Sequence, residues 1–366
     1  MASRPLANAG REARPADGRT AAPLLKVADL TVEFGRGLSP FRAVNGVSFE
    51  IPAGGSVGIV GESGSGKSVT SLSILRLVPE PPGRIVGGRI EFEGVNLLDL
   101  PRSRMPDIRG RDIAMIFQEP MSSLNPVMTI GDQIGEAILL HEPLSREKRH
   151  RRVIDLLNRV GIPDAAGRAD AYPHQFSGGM RQRVMIAIAL ACSPKLLIAD
   201  EPTTALDVTI QAQVLELMKE IRATTNTALL LISHDLGIIA DVCERVIVMY
   251  AGRVVEDGDV RSIFHRPAHP YTRGLLQSIP RLRDDRRRLY QIPGSVPLPG
   301  TVGEGCPFTS RCPLRVERCA REMPPMFRFG DQQTAACWVT AGVEASPAEV
   351  RPPEDLADAA SPGPMP

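Results

Sequence analysis

The chain has 366 residues, of which 43% are apolar and 23% charged, and its formal net charge is +1. This composition is typical of a globular protein with a proper core, and the near-zero charge argues against a protein that grips nucleic acid over a broad basic surface. No apolar run approaches the ~20 residues of a membrane-spanning helix, and the N-terminus lacks the apolar stretch of a secretory signal. We therefore expect a cytosolic protein whose six cysteines do not form disulfides.

Two kinds of apolar pattern alternate along the chain. Strand-type patterns occupy residues 25–34, 43–51, 56–60, 89–93, 113–118, 196–199, 228–233 and 245–250. Helical patterns occupy residues 67–77, 145–160, 179–192, 209–223 and 236–243. Strands that alternate with helices predict an α/β fold with a largely parallel sheet.

Changes in these patterns divide the chain into regions. Residues 1–23 and 343–366 are rich in Pro and Ala and are predicted to be disordered tails. Residues 24–265 form the predicted α/β domain, in which residues 126–178 have helical periodicity without a strand and indicate a helical insertion. Pro and Gly recur in residues 266–342, which also hold four of the six cysteines, and this change predicts a small second domain.

Residues 61–68 form the strongest motif. They read Gly-Glu-Ser-Gly-Ser-Gly-Lys-Ser and fit the phosphate-loop pattern G-x-x-x-x-G-K-[ST] between a predicted strand and a predicted helix. The glycines let the backbone turn amide N–H groups toward phosphate oxygens, and the helix N-terminus adds its dipole. Lys67 would bind the β- and γ-phosphates, and the Ser68 hydroxyl would bind Mg²⁺. The alternative, a Gly/Ser-rich loop with a chance lysine, does not explain the flanking strand and helix.

A pair of carboxylates follows the apolar run 196–199. Asp200 stands at the strand end, where it can hold Mg²⁺, and Glu201 can then polarise the attacking water. Phosphoryl transfer depends mainly on positioning and charge stabilisation, so one metal holder and one water-orienting base suffice. A solvated acidic turn is the alternative, and the phosphate loop upstream makes it the weaker one.

The segment Phe176-Ser177-Gly178-Gly179-Met180 begins a predicted helix and resembles the LSGGQ signature of ABC (ATP-binding cassette) transporter ATPases, with Phe for Leu and Met for Gln. The resemblance implies a P-loop NTPase (RecA-like) core with an antiparallel β subdomain and a helical subdomain. It also implies that Ser177, Gly178 and Gly179 contact the γ-phosphate of the nucleotide held by the opposite subunit. A simple helix N-cap, Ser followed by two Gly, is the alternative interpretation.

Other motifs of this family follow in the expected order. The resemblance implies that Gln118 ligates Mg²⁺, that Asp207, in the Ala-Leu-Asp segment 205–207, crosses a dimer interface, and that His234 contacts the γ-phosphate. Residues 119–126, directly after Gln118, resemble the extension found in peptide-type ATPases, which would transmit the nucleotide state outward.

An aromatic ring under the adenine is also expected. Phe34 stands at the family's position, although it could equally be a core residue of an edge strand, and Phe41 is a rival. The residues expected to bind ATP are Phe34, Gly61, Ser63, Gly64, Ser65, Gly66, Lys67, Ser68, Val69, Gln118, Ser177, Gly178, Gly179 and Asp207. The residues expected in catalysis are Lys67, Glu201 and His234, and those expected to hold Mg²⁺ are Ser68, Gln118 and Asp200.

The C-terminal segment narrows the resemblance. Residues 269–276, His-Pro-Tyr-Thr-Arg-Gly-Leu-Leu, resemble the opening of the C-terminal extension on ATPases of oligopeptide, dipeptide and nickel importers. The arginine-rich stretch 281–288 fits a solvated linker better than a contact with lipid headgroups.

Cys306, Cys312, Cys319 and Cys337 follow a C-x5-C-x6-C-x17-C spacing in the C-terminal segment. The gaps are wider than those of common zinc sites, and four thiolates in a cytosolic protein favour a [4Fe–4S] cluster. Some relatives with this extension resemble cluster-binding proteins at such cysteines. Zinc and four reduced, packed thiols are the alternatives.

We therefore expect the ATP-hydrolysing subunit of an ABC importer for dipeptides, oligopeptides or a related small solute. The resemblance implies a second ABC ATPase subunit of related sequence, two transmembrane permease subunits, a solute-binding protein outside the membrane, and a position on the cytoplasmic face of the cell membrane. The alternative is a soluble ABC ATPase that acts on nucleic acid or the ribosome. The single cassette, the net charge and residues 269–276 argue against it, and no nucleic-acid partner is expected.

Overall fold

The computed structural model of the protein describes residues 22–35, 40–118, 123–204, 206–279, 290–297 and 300–342. Residues 1–21 of the predicted N-terminal tail, the predicted C-terminal tail 343–366 and the arginine-rich stretch 281–288 lie outside the described residues. So do residues 119–122 of the extension after Gln118 and Ala205 of the segment 205–207.

The strands match the predicted α/β pattern closely. They are β1 (Leu25–Phe34), β2 (Phe41–Ile51), β3 (Ser56–Val60), β4 (Gly83–Phe92), β5 (Val95–Asn96), β6 (Ile113–Ile116), β7 (Leu196–Asp200), β8 (Ala228–Ser233), β9 (Arg245–Tyr250), β10 (Arg253–Asp259), β11 (Phe327–Arg328) and β12 (Thr334–Ala335). The strand predicted over 113–118 ends at Ile116, and the one predicted from residue 89 begins at Gly83.

The helices lie between these strands and beyond them. They are α1 (Lys67–Ile74), α2 (Ile130–Leu139), α3 (Arg146–Arg159), α4 (Ala165–Ala169), α5 (Gly178–Ala189), α6 (Val208–Thr225), α7 (Leu236–Val242), α8 (Val260–His265), α9 (Pro270–Gln277) and α10 (Glu317–Arg321). Residues 126–178, all of which are described, contain α2, α3 and α4 and no strand, as their periodicity predicts.

The main sheet has eight strands in the order β11-β12-β10-β9-β3-β8-β7-β6. The five strands from β9 to β6 run parallel, and the other three extend this sheet in antiparallel fashion. Every residue of β3, β7 and β8 is buried, because both faces of the sheet are covered. The parallel arrangement brings the carboxyl ends of β3, β6, β7 and β8 to one edge, where a ligand site is expected.

A second, antiparallel sheet covers one face of the first. Its order is β2-β1-β4-β5. Apolar side chains of β1, such as Leu25 and Val27, share one buried cluster with Val57 and Ile59 of the main sheet. Together with the main sheet and the helical segment 126–178, this sheet confirms the predicted ABC cassette fold. Among the described residues, no helix combines the length and the apolar character that a bilayer-spanning helix needs.

The C-terminal segment packs onto the main sheet. In β12, Thr334 and Ala335 pair with Asp257 and Glu256 of β10, so the sheet continues into this segment. Phe308 also belongs to the buried cluster that includes the helices of the cassette. A segment of this size buries little core by itself, and β10, which would be an edge strand without β12, supplies the backbone groups that pair with it. A domain boundary at residue 266 stays a prediction.

Candidate nucleotide site

The phosphate-loop residues connect β3 to α1, as predicted. A Cβ atom on Gly61 would lie 2.2 Å from the Met249 carbonyl oxygen, and one on Gly66 would lie 2.6 Å from that of Ala43. Both glycines also have positive φ, 157° and 98°. The loop therefore approaches neighbouring backbone more closely than any residue with a side chain allows.

The remaining loop residues differ in exposure. Ser63 and Gly64 are exposed at the tip of the loop, whereas Ser65 is buried and Val69 is half-buried against the core. The Ser65 hydroxyl has no hydrogen-bond partner among the described residues. Its backbone joins the loop to its surroundings, because the Ser65 carbonyl accepts the Gly252 N–H at 3.0 Å.

Lys67 is buried at the first position of α1 and folds over the loop. Its Nζ donates to the carbonyl oxygens of Gly61 at 2.8 Å and Glu62 at 3.1 Å. Burial lowers the pKa of Lys67, while the carboxylates of Glu201 and Asp200 oppose that shift. The ammonium therefore lies among carbonyl oxygens in the phosphate loop, where an anionic ligand would be a stronger partner.

Ser68 and Asp200 meet although they are far apart in sequence. The Ser68 Oγ donates to Asp200 Oδ1 at 3.1 Å. Burial, reinforced by the neighbouring Glu201, raises the pKa of the Asp200 carboxyl, and the Ser68 hydrogen bond opposes the shift. A hydroxyl and a buried carboxylate that converge on one point form the oxygen donor set that Mg²⁺ prefers, so these residues fit the predicted ion.

Glu201 meets three side chains, two from other loops and one from its own turn. Its Oε2 accepts the Gln118 Nε2–H at 3.2 Å and the Thr204 hydroxyl at 2.8 Å, and lies 3.4 Å from His234 Nδ1. Its backbone has a left-handed φ of 48°, and its N–H donates to the Ile232 carbonyl oxygen. The structure thus brings Gln118, Glu201 and His234 together, as the predicted roles require.

Thr204 was not among the predicted residues. It follows Glu201 by three positions, and its hydroxyl makes the shortest of the contacts to Glu201 Oε2. The signal in the sequence is its position in the turn after the acidic pair, because a hydroxyl three residues away can reach back to a side chain at the start of a turn.

The signature segment lies at the start of α5. The Ser177 Oγ caps this helix by accepting the Met180 N–H at 3.3 Å. Ser177 and Gly178 are exposed, and a Cβ atom on Gly178 would meet nothing within 4 Å. Gly179 is buried, and a Cβ atom there would lie 2.5 Å from Ile210 of α6. Close packing therefore requires a glycine at position 179, whereas Ser177 and Gly178 are exposed.

Asp207 and the two aromatic candidates contact nearby residues of their own helix or strand pair. Asp207 is exposed and caps α6 by accepting the Ile210 N–H at 3.0 Å. Phe34, at the end of β1, stacks on Phe41 with ring centroids 6.0 Å apart. Both rings are half-buried, so Phe34 and Phe41 stay rival candidates for the adenine contact. None of the hydrogen bonds found among the described residues joins Ser177, Gly178, Gly179 or Asp207 to the phosphate loop.

The four C-terminal cysteines, Cys306, Cys312, Cys319 and Cys337, converge. They line one cavity of about 10 Å³, together with His269 and Trp338 among others. Burial raises the pKa of Cys306 to about 11 and that of Cys312 to about 12, so these thiols are protonated at neutral pH. Within the described parts of the chain, no group of three or more His, Cys, Asp or Glu side chains is placed to hold a metal ion. The geometry therefore does not support the predicted iron–sulfur cluster.

Comparisons with known proteins agree with this arrangement. Residues 44–204 match the ABC transporter family, and residues 255–319 match the C-terminal region of oligopeptide/dipeptide transporters. The dipeptide transport ATP-binding protein DppD of Escherichia coli (strain K12) is 52% identical over 314 residues, which are 86% of this chain and 96% of that protein. The oligopeptide transport ATP-binding protein AppD of Bacillus subtilis (strain 168) is 50% identical over 316 residues, 86% of this chain and 96% of that protein.

A solved structure shares the fold of the cassette. The ATP-binding cassette MJ0796, in a dimeric post-hydrolysis state bound to ADP and Pi, superposes with a TM-score of 0.59 at 28% identity over 65% of this chain and 99% of that one. The arrangement of the site residues agrees with the fold and with these relatives. The chain therefore belongs to the ATP-binding proteins of the ABC transporter family, in the branch that carries the oligopeptide/dipeptide transporter C-terminal region.

Proposed function

We propose that this chain is the ATP-hydrolysing subunit of an importer for dipeptides or oligopeptides. The observation that carries the hydrolytic part is the meeting of Gln118, Glu201 and His234 beside the phosphate loop. The peptide substrate is supported by the relatives, which are named dipeptide and oligopeptide transport proteins. The nucleic-acid or ribosome alternative is not favoured by any of these relatives.

The phosphates would be bound by the loop and the helix that follows it. Backbone N–H groups of the loop and the N-terminus of α1 would supply hydrogen bonds and a positive potential. Lys67 would exchange the carbonyl oxygens of Gly61 and Glu62 for phosphate oxygens, which are stronger acceptors for an ammonium. Phe34 or Phe41 would stack on the adenine ring.

Ser68, Asp200 and Gln118 would hold Mg²⁺ through oxygen atoms. When bound, the ion neutralises charge that develops on the phosphates and orients them. The position of the Asp200 carboxylate supports this assignment, because it is buried and its Oδ1 meets the Ser68 hydroxyl at 3.1 Å.

Glu201 would orient the attacking water and accept its proton at the carboxylate. Gln118, Thr204 and His234 fix the direction of that carboxylate, since all three contact or face the same oxygen. His234, with 63% of its side chain exposed, is free to contact the γ-phosphate when ATP arrives. Positioning of this kind is the main source of rate enhancement in phosphoryl transfer.

A second cassette would complete the site. Ser177 and Gly178 are exposed and face open space, so they are available to the γ-phosphate of a nucleotide on another subunit. We propose a related ATPase chain as that subunit, two transmembrane permeases, a solute-binding protein outside, and a position on the cytoplasmic face of the membrane. ATP that binds the closed pair more tightly than the open pair would drive the transport cycle.

We also propose, from the ligand set rather than from the geometry, that the four C-terminal cysteines hold a [4Fe–4S] cluster. Such clusters are ligated by four cysteine thiolates, and this segment carries four cysteines, whose side chains line one cavity. The cavity has room for about one water molecule, so the side chains would have to move apart. Anaerobic purification should yield about four irons and four sulfides per chain. Iron-free, sulfide-free protein would contradict the cluster, and zinc in its place would support the zinc alternative.

The transport proposal is tested in the native host. The chromosomal gene is replaced by a tagged wild-type copy or by Lys67→Ala, and uptake of a radiolabelled dipeptide and a radiolabelled pentapeptide is measured. We expect the variant to lose uptake of at least one peptide while the tagged chain stays at the membrane with two polytopic proteins and a second cassette. Unchanged uptake of both peptides, with only ribosomal or repair proteins captured, would overturn the proposal.

A further inference from the structure

The C-terminal segment reaches back to the phosphate loop through one ion pair. Arg311 Nη1 lies 2.6 Å from Glu62 Oε2, and Arg311 Nη2 lies 3.1 Å from Glu62 Oε1. Glu62 is the second residue of the phosphate loop, and 249 positions separate it from Arg311. Such parallel, two-pronged pairs are the most directional ion pairs in proteins, so this contact specifies the position of Glu62.

Arg311 is itself held firmly. Only 5% of its side chain is exposed, against 28% for Glu62. Its Nε donates to the Pro293 carbonyl oxygen at 2.9 Å and its Nη2 to that of Ile292 at 3.2 Å. Its guanidinium also lies over the Phe308 ring, 5.9 Å from the centroid. A guanidinium with this many partners has little conformational freedom, so it can hold the Glu62 carboxylate in one position.

A second contact from the same segment holds the backbone of Glu62. The Tyr271 hydroxyl oxygen accepts the Glu62 N–H at 2.8 Å. Tyr271 is fully buried, and its ring packs against Tyr250 at 4.6 Å and Phe308 at 5.4 Å between centroids. The ring therefore cannot swing away without opening the core, and the hydroxyl is as fixed as the Arg311 guanidinium.

Glu62 is the point at which the catalytic lysine and the C-terminal segment meet. Its carbonyl oxygen accepts the Lys67 ammonium at 3.1 Å, its N–H donates to Tyr271 and its carboxylate pairs with Arg311. Glycines at 61 and 64 flank it, and both have positive φ. A loop so rich in glycine loses more backbone entropy on ordering than other loops, so external contacts at Glu62 reduce the cost of ordering it around phosphate.

We propose that Arg311 and Tyr271 are positioning residues that hold the phosphate loop in its ATP-binding geometry, which makes the C-terminal segment a working part of the nucleotide site. This inference rests on the proposed role of the phosphate loop and Lys67 in binding ATP. It implies that removal of either contact weakens ATP binding even though neither side chain belongs to the phosphate loop.

The test compares ATP affinities of the purified full-length chain by calorimetry with Mg²⁺ present. Tyr271→Phe removes one hydroxyl and keeps the ring, and Arg311→Gln removes the charge. We expect each to weaken ATP binding about three- to tenfold, the effect of losing one or two hydrogen bonds. Arg315→Gln, at an exposed arginine of the same segment, is the matched control and should bind ATP as the wild type does.

A double-mutant cycle separates positioning from general destabilisation. If Arg311 acts through Glu62, the double variant Glu62→Gln with Arg311→Gln should bind ATP no more weakly than the worse single variant. Thermal unfolding of every variant is measured alongside, because a merely structural role would lower the melting temperature and leave the ATP affinity of the folded protein unchanged.

Two results are decisive against the inference. ATP affinities of Tyr271→Phe and Arg311→Gln within twofold of the wild type would overturn it, as would additive effects in the cycle. Failure of the proposed function gives a different result, namely a wild-type chain that does not bind ATP at all.

Discussion

At the level of single residues, the side chains proposed to act in hydrolysis meet at one carboxylate oxygen. Glu201 Oε2 accepts hydrogen bonds from Gln118 and Thr204 and faces His234. Gln118, Thr204 and His234 follow three different strands of the parallel sheet. Their convergence on one oxygen atom therefore depends on the register of those strands. A general base needs its lone pair aimed at one water, and this arrangement restricts the direction in which the carboxylate points.

Glu201→Gln should separate ATP binding from hydrolysis. The amide keeps the size of the side chain but cannot accept a proton, so we expect phosphate release to fall by at least ~100-fold while ATP binding persists. Gel filtration with ATP should show the variant as a stable dimer or as a pair with its partner cassette. Turnover near the wild-type rate would contradict the role of Glu201.

Thr204→Val should affect the rate of hydrolysis more than ATP binding. It deletes the hydroxyl that donates to Glu201 at 2.8 Å and leaves the phosphate loop untouched. We expect kcat to fall about three- to tenfold and KM for ATP to stay nearly constant. Thr204→Ser keeps the hydroxyl and serves as the control. A rise in KM with unchanged kcat would show that Thr204 acts elsewhere.

Among the elements, α9 shows how the C-terminal segment is attached. Buried Glu256 of β10 accepts the backbone N–H groups of Ala268 at 2.7 Å and His269 at 2.9 Å. His269 then caps α9 through its Nδ1, which accepts the Tyr271 N–H at 3.1 Å. Burial raises the pKa of Glu256, and these hydrogen bonds oppose the shift. Tyr271 lies in the first turn of the helix that this cap begins, and its hydroxyl reaches the phosphate loop at Glu62.

The His269 cap should make folding stability depend on pH. Complete burial, with a smaller contribution from Arg273, lowers the His269 pKa from 6.5 to about 3. Below pH ~6.5 the unfolded chain binds a proton that the folded chain cannot, so stability is present above that pH and is lost as pH falls toward 3.

Urea unfolding at two pH values measures this dependence. From pH 7.5 to 5.5 we expect His269 to remove about 1 kcal/mol from the free energy of unfolding. His269→Asn keeps a capping side chain but cannot bind a proton. Its free energy of unfolding should therefore fall by about 1 kcal/mol less than that of the wild type over the same pH range. His265→Asn, at an exposed histidine, is the control and should behave as the wild type does. Equal pH dependence in wild type and His269→Asn would refute the assignment.

For the molecule as a whole, the phosphate loop and the signature segment belong to different elements. The phosphate loop follows β3, whereas Ser177 caps α5, with no hydrogen bond between them among the described residues. This separation fits the proposal that a second cassette brings a signature segment to each nucleotide. The solved relative MJ0796 is dimeric with ADP and Pi bound, which agrees with this arrangement.

Ser177→Arg tests the two-subunit site. A large charged side chain at this exposed position should block closure and abolish hydrolysis, while the isolated chain keeps its ATP affinity because its own phosphate loop is unchanged. Ser145→Arg is matched, since Ser145 is also an exposed helix cap, and should hydrolyse ATP normally. Weaker ATP binding to isolated Ser177→Arg would show that the signature acts within one chain.

The accuracy of the sequence-based predictions varied with the environment of each element. The runs that became β3 and β8 were predicted with their observed bounds, because strands buried on both faces are continuously apolar. Strand β10 was missed because Glu256 and Asp257 lie in it, and carboxylates argue against a buried strand. Both are buried because Arg245 pairs with Asp257 and the N–H groups of 268 and 269 bind Glu256.

The phosphate loop, the acidic pair, the signature segment and their order are recognisable from the residue pattern alone, because each is a local motif whose chemistry depends on a few neighbouring residues. The contacts of Thr204 with Glu201, and of Arg311 and Tyr271 with Glu62, are visible only in the folded chain. The Arg311 contact spans 249 positions of chain, and no local pattern records which distant side chains the fold brings together. The packing of the C-terminal segment against the cassette core determines which of its side chains reach the phosphate loop.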